Sequence, residues 1–307
     1  MQSLQDIKAH AISLFFDFLG RIGNPIVNSK LPRVQDIKRD LPYGSDPKQT
    51  LDIFRPRPVG ASNIPVLIYF HGGGWISADK KNYDGICARL SKNGLLVVNV
   101  NYRLAPRNRF PAQLQDVAQA VAWIHRSAAE YGGDNNRIIM AGDSAGAQMA
   151  SWYASALQKP DLFAQAGISG DIPEIRLQGL LLFYGVYDFD TVLHTGFPFI
   201  KIYTESLLGA EPEKYRENSR VASPIQHISS DLPPVFLCAG ERDKLFPQTV
   251  AYANALKNKG VRCQTLLFSK RYFANHGFLF FRWLKPSKMA FAATDEYLRD
   301  LGLATWH

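Results

Sequence analysis

The 307-residue chain has no run of 18 consecutive apolar residues, which excludes a conventional membrane-spanning helix. It has only three cysteines, Cys87, Cys238 and Cys263, odd in number and far apart. That excludes a disulfide framework and any Cys/His metal spacing, so no metal is expected. Cys238 and Cys263 fall in apolar, strand-like runs and read as small core residues. A reducing, cytoplasmic compartment is the simplest inference. Long charge runs are also missing. The 35 basic and 27 acidic residues give a net charge of +8, but the basic residues are scattered. This pattern is a solvated surface rather than a nucleic-acid footprint. There is no internal repeat and no low-complexity tract. The N-terminal apolar stretch from Ile12 to Leu19 follows Asp6, contains Asp17 and leads to no small-residue cleavage site, so no secretory signal is expected.

What is present is an alternation of strands and helices. Leu4 to Leu19 has a broad apolar face at helical spacing, with Gly20, Gly23 and Pro25 expected to end it. This helix is expected to pack on the main body. Lying on a membrane is the lesser alternative, because its polar face lacks a Lys/Arg stripe. Strands are expected at Val34 to Leu41, Thr50 to Phe54, Pro65 to Phe70, Leu95 to Val100, Arg137 to Ala141, Leu177 to Tyr184, Val235 to Ala239 and Cys263 to Phe268. Helices are expected at Lys80 to Lys92, Pro111 to Tyr131, Ala145 to Leu157, Pro247 to Lys259 and Pro286 to Leu301. This order describes a single α/β domain, residues 1–307, with a mostly parallel sheet and helices on both faces. The stretch from Gly185 to Ile225 is too long for a simple connection and reads as an insertion rich in aromatics.

The chemistry centres on Gly142-Asp143-Ser144-Ala145-Gly146. It fits G-x-S-x-G and lies between a buried strand and a helix, the context in which the serine hydroxyl is aimed outward. A capping serine in a Gly-rich helix start is the competing use of such a pattern. Acyl transfer also needs a base, an orienting acid and donors for a developing oxyanion, in loops at the carboxyl ends of strands. His10, His71 and His125 precede the serine. His194 and His227 lie before the penultimate strand, and His307 is the last residue. His276, past the last strand, remains as the base. Glu241 and Asp243, after the strand Val235 to Ala239, are both candidates for the acid. His71-Gly72-Gly73-Gly74-Trp75 follows a buried strand, and its glycines leave backbone N–H groups free to face a substrate. Phosphate cradling, the rival use of a glycine loop, needs a helix opening and usually a Lys, and both are missing here.

Taken with Tyr102-Arg103-Leu104-Ala105-Pro106, Phe110-Pro111-Ala112 and His276-Gly277-Phe278, these motifs resemble the hormone-sensitive-lipase branch of the α/β-hydrolases over about Tyr43 to Phe278. The resemblance implies an α/β-hydrolase fold with a helical cap built from about residues 1–40 and 185–225. It implies Ser144 as nucleophile, His276 as base and Asp243 as acid, with Gly73, Gly74 and Ala145 forming the oxyanion hole. It further implies carboxylesterase activity on short- to medium-chain esters, with no cofactor. The expected partner is a small-molecule ester, without nucleic acid or stable membrane insertion, and a homodimer is left open. Three departures stand out. Lys244 follows Asp243, Arg107 follows the Tyr-Arg-Leu-Ala-Pro run, and the loop Ser269 to Asn275 is long and basic. Pro42-Tyr43-Gly44-Ser45 and Leu51-Asp52-Ile53 also resemble bacterial feruloyl and acetyl esterases. An amidase or arylformamidase using the same triad, and a non-catalytic small-molecule receptor on this fold, are the alternatives.

Overall fold

The computed structural model describes residues 4–28, 34, 36–56, 62–170 and 172–304. Gln35, the loop at 57–61 and His307 therefore lie outside the described residues. The strands are β1 (Asp36–Pro42), β2 (Thr50–Arg55), β3 (Ile64–Phe70), β4 (Leu96–Val100), β5 (Gly133–Asp143), β6 (Leu177–Phe183), β7 (Val235–Gly240) and β8 (Cys263–Phe268). Among the described residues they form one sheet in the order β1-β2-β4-β3-β5-β6-β7-β8. The pairings β1–β2 and β2–β4 are antiparallel, and the rest are parallel. This is the mostly parallel sheet of an α/β-hydrolase fold.

A parallel strand covered on both faces has no solvent side, so its sequence need not alternate. β3 is the clearest case, with all seven residues of Ile-Pro-Val-Leu-Ile-Tyr-Phe buried. The helices are α1 (Leu4–Val27), α2 (Asp84–Ser91), α3 (Ala112–Ser127), α4 (Ala145–Gln158), α5 (Asp161–Gln165), α6 (Phe189–Val192), α7 (Ile200–Leu208), α8 (Pro212–Ala222), α9 (Phe246–Asn258) and α10 (Lys285–Asp300). Helices α3, α4 and α9 cover one face of the sheet, through residues such as Val117, Met149 and Leu256. Helices α2 and α10 cover the other, through Leu90, Phe291 and Leu298.

Several expectations change here. α1 does not stop at Gly20 but runs on to Val27, with Pro25 inside it. Its end is held by tertiary bonds: Arg282 Nη2 donates to the Val27 carbonyl at 2.8 Å, and the neighbouring Asn28 accepts from the Gly85 amide at 2.8 Å. Residues 36–40 lie in β1, as the strand expected from Val34 to Leu41 implies, so the helical part of the N-terminal segment ends before them. The insertion resolves into α6, α7 and α8, and α5 is an element with no clear sequence signal. The apolar face of α1 is only partly buried. Ala9 is fully covered, yet Ile7, Leu14, Phe18 and Ile22 are more than half exposed. Helix α1 packs on α7, and both lie over the carboxyl ends of the strands.

Candidate active site

The nucleophile candidate sits at the β5–α4 junction in a strained turn. Ser144 has φ 50° and ψ −116°, outside the regions most residues occupy. Its own amide donates to the Phe183 carbonyl at 2.9 Å, which ties the turn to the neighbouring strand. The glycine two residues on is needed for contact rather than for its torsions. A Cβ on Gly146 would lie 1.9 Å from the Phe70 carbonyl oxygen, so α4 can start directly against β3 only without a side chain there.

Three neighbouring parts of the sheet bring the acid–base groups together. His276 Nε2 lies 3.0 Å from Ser144 Oγ, and His276 Nδ1 lies 2.7 Å from Asp243 Oδ2. Asp243 is buried in the loop after β7, where its other carboxylate oxygen accepts the Leu245 amide at 2.8 Å. Glu241, the rival acid, is exposed and accepts the Lys270 amide at 3.1 Å. The geometry therefore separates the two carboxylates that the sequence left open. A hydroxyl, an imidazole and a buried carboxylate in this chain fix the tautomer. With Nδ1–H turned to the acid, Nε2 is the ring's acceptor toward the serine hydroxyl. The ring is gripped edge-on by Phe197 at 4.8 Å, one of the aromatics of the insertion, and by Tyr184 at 4.9 Å, which the sequence does not mark as a site residue. Tyr184 directly follows β6, and that position is the signal that could have marked it.

The glycine loop after β3 faces the serine. Gly73 and Gly74 have φ of 112° and 59°, and both line the same cavity as Ser144. Among the described residues the amides of Gly73, Gly74 and Ala145 have no acceptor. The loop is braced from several sides. Tyr102 donates to the His71 carbonyl at 2.8 Å, and the Ala105 amide to the Trp75 carbonyl at 2.9 Å. Arg103 in turn grips Asp116, with Nη2 at 2.7 Å and its backbone amide at 2.7 Å. This is what the Tyr-Arg-Leu-Ala-Pro run does mechanically. Trp75 Nε1 donates to Gln148 on α4 at 3.0 Å, and Gln148 Nε2 donates to the Ala222 carbonyl at the end of α8 at 2.8 Å.

Asp143, next to the serine, is fully enclosed. Its Oδ1 accepts the Gly72 amide at 2.9 Å and the Tyr69 hydroxyl at 3.2 Å, and its Oδ2 accepts the Tyr83 hydroxyl at 3.2 Å. Burial pushes its carboxyl up to about 6, against the pull of nearby His276 and these donors. Burial likewise lowers His71 to about 4, so that imidazole is neutral at neutral pH; it stacks on Tyr102 at 4.3 Å.

Above the serine is a cavity of about 740 Å³. Gly23 and Val27 of α1, Ile200 and Tyr203 of α7, and Phe197 and Phe281 supply much of its apolar wall. Among the described residues no group of three or more His, Cys, Asp or Glu is arranged to hold a metal ion, and no helix is long and apolar enough to cross a membrane.

Fold and site together define an α/β-hydrolase with a Ser-His-Asp constellation at the carboxyl edge of its sheet. The BD-FAE family model matches residues 51–259, and the chain belongs to that family, within the hormone-sensitive-lipase-like carboxylesterases. It is 31% identical over 272 residues to the probable carboxylic ester hydrolase LipM of Mycobacterium tuberculosis, covering 87% of this chain and 62% of LipM. It is 31% identical over 267 residues to esterase LipQ of the same organism, covering 83% of this chain and 61% of LipQ. The chain thus spans about three fifths of the length of these relatives. In structure it resembles an inhibited esterase B from Lactobacillus rhamnosis, with a TM-score of 0.86 at 22% identity over 98% of this chain and 97% of that one. That likeness concerns the fold.

Proposed function

We propose that this chain is a carboxylic ester hydrolase working through an acyl-enzyme. Ser144 Oγ attacks the ester carbonyl while His276 Nε2 takes its proton. The tetrahedral oxyanion is received by the amides of Gly73, Gly74 and Ala145, and the alkoxide leaves with the proton held by His276. A water molecule, deprotonated by the same imidazole, then attacks the acyl-serine and releases the acid. Asp243 keeps the ring in the required tautomer and stabilises the imidazolium that forms twice per turnover. The observation that carries the reading is the pair of distances at His276, 3.0 Å to the serine and 2.7 Å to the acid. The esterase names of the relatives support the substrate class.

Helix α1 and the segment 185–225 act in this reading as a cap. The apolar cavity beneath them suits short to medium acyl chains. The test is a fluorophosphonate probe followed by p-nitrophenyl esters from acetate to laurate, with matching amides and a feruloyl ester alongside. Labelling at Ser144 with turnover of the aliphatic esters supports the reading. Absence of labelling on a folded protein would leave a receptor, and preference for amides would move the activity to an amidase.

A further inference from the structure

We propose that the mouth of the cavity is a docking face for an anionic lipid bilayer, onto which the chain adsorbs without crossing. This goes beyond ester hydrolysis and does not depend on it.

The first observation is an asymmetry of charge. Between Asp243 and Asp295 the chain has no Asp or Glu at all, yet it carries nine Lys and Arg. Of these, Lys244 lines the opening together with Arg242, which lies just before the stretch; the Lys270 carbonyl accepts from Arg242 Nε, Arg271 and Lys285 both lie over the Tyr272 ring, and all five side chains are exposed. Among the described residues none of these five forms an ion pair. The acids that precede the stretch are already engaged, Asp243 by His276 and Glu241 by the Lys270 amide. Several of the cations lie over aromatic rings instead. Arg242 sits 3.8 Å from the centre of Phe273, and Arg271 4.9 Å from that of Tyr272.

The second observation is exposed apolar surface on the outer side of α1 and on the loop that meets its end. Ile7, Leu14, Phe18 and Ile22 recur on one side of α1, with Phe18 59% and Ile22 57% exposed. The end of α1 meets the 278–284 loop through Arg282 and the Val27 carbonyl. That loop presents Phe281, Trp283 and Leu284, and Phe199 stands across the mouth. A free anionic ester would account for cations at the opening. It would not account for aliphatic and aromatic residues spread along the outside of α1. A surface with negative head groups above hydrocarbon matches both, with aromatic rings at the boundary and cations toward the head groups. α1 carries no Lys/Arg stripe of its own, and the loops after β7 and β8 add cations to the same end of the molecule.

The test is co-sedimentation of the full chain with vesicles of phosphatidylcholine alone and of phosphatidylcholine mixed with phosphatidylglycerol. Binding to the mixed vesicles, weakened by salt, with little binding to phosphatidylcholine, is expected. Each basic residue near such a surface is worth about a five-fold change in partition, so Lys270→Gln/Arg271→Gln/Lys285→Gln should weaken binding on the order of 100-fold. Phe18→Ser/Ile22→Ser and Trp283→Ser/Leu284→Ser should each weaken it as well. None of these residues lines the cavity, so circular dichroism and labelling by the fluorophosphonate probe serve as folding controls. Failure of the native chain to bind mixed vesicles overturns the proposal, as does unchanged binding by the charge variant. A dimer in light scattering that Phe18→Ser/Ile22→Ser dissociates would assign the face to a second copy and also overturn it.

Discussion

The carboxylate of Asp143 accepts the amide of Gly72, so the residue beside the serine fixes the start of the loop that carries Gly73 and Gly74. One carboxylate therefore ties the turn that holds Ser144 to the glycine loop. The same carboxyl is raised to about 6 by burial. A raised carboxyl binds more protons folded than unfolded, so its contribution is complete at low pH and is lost as pH rises from about 4 through 6. His71, lowered to about 4, works in the opposite sense over an overlapping window: its contribution is lost as pH falls from about 6.5 toward 4.

Asp143→Asn should unmask this opposition. The stability of the native chain relative to the variant should fall by about 3 kcal/mol between pH 4 and pH 7, from a shift of about two units at 1.36 kcal/mol each. Urea unfolding of both proteins across that range measures it. A constant difference would mean that Asp143 titrates in the ordinary carboxylate range.

Ser144→Ala should fold normally and lose at least about 10⁴-fold in kcat. Steady-state rates on p-nitrophenyl butyrate decide it. Retention of a tenth of the native rate would move the nucleophile elsewhere.

Asp243→Asn should cost on the order of 10⁴-fold in kcat, because the imidazole loses the partner that sets its tautomer. Glu241→Gln should change little, since that side chain is exposed and reaches only the Lys270 amide. Comparing the two variants under one assay tests the assignment, and the reverse ranking would transfer the role to Glu241.

Lys80 is 1% exposed between Asp52 and Asp40, directly after the glycine loop. Lys80→Met should lower stability by about 3 to 5 kcal/mol, because Asp52 stays buried with Arg39 as its remaining charged partner. Thermal unfolding reads this directly. A loss below about 1 kcal/mol would show that the pair is dispensable.

Removing residues 1–27 tests the cap. The central sheet should remain, and kcat/KM should fall more for butyrate and octanoate esters than for acetate, because Gly23 and Val27 wall the far side of the cavity. A uniform loss across chain lengths, with circular dichroism unchanged, would separate α1 from acyl selection.

The parts of this molecule that were legible in sequence are those where a local pattern and the global fold agree. Pro65 to Phe70 could only be a strand buried on both faces, and the serine lay where a strand gave way to an Ala-rich helix. β5 starts at Gly133, ahead of its apolar run from Arg137, because Asp134, Asn135 and Asn136 are polar and carry no strand pattern. They nonetheless continue the strand, which begins with Gly133 and Asp134 opposite Ile64 and Pro65, before the register slips. α1 ran past Gly20 because its end is anchored by Asn28 and Arg282, and the latter lies 255 residues from its partner. No window of sequence reports such a bond. The same holds for Asp143 and Gly72, 71 residues apart, and for the grip of Phe197 on His276. His276 itself was reachable only through chain order. α1 packs on the body as its apolar face implies, yet much of that face stays open, because apolar periodicity tells which residues share a face, not whether anything covers all of it.

The segment that becomes α6, α7 and α8 leaves the sheet at β6 and returns at β7, two strands already paired through Leu180–Val235 to Phe183–Cys238. Both ends are thus welded to a ladder that does not sense what lies between them. Lengthening such an excursion adds closure entropy only slowly, about 0.6 kcal/mol per doubling. The length of this segment is therefore free to vary, but its contacts are not. A chimera that exchanged everything from Gly185 to Ile225 would have to replace Phe197 against the His276 ring, as well as the series of bonds from Trp75 through Gln148 to Ala222, for Ser144, Asp243 and His276 to stand where they do.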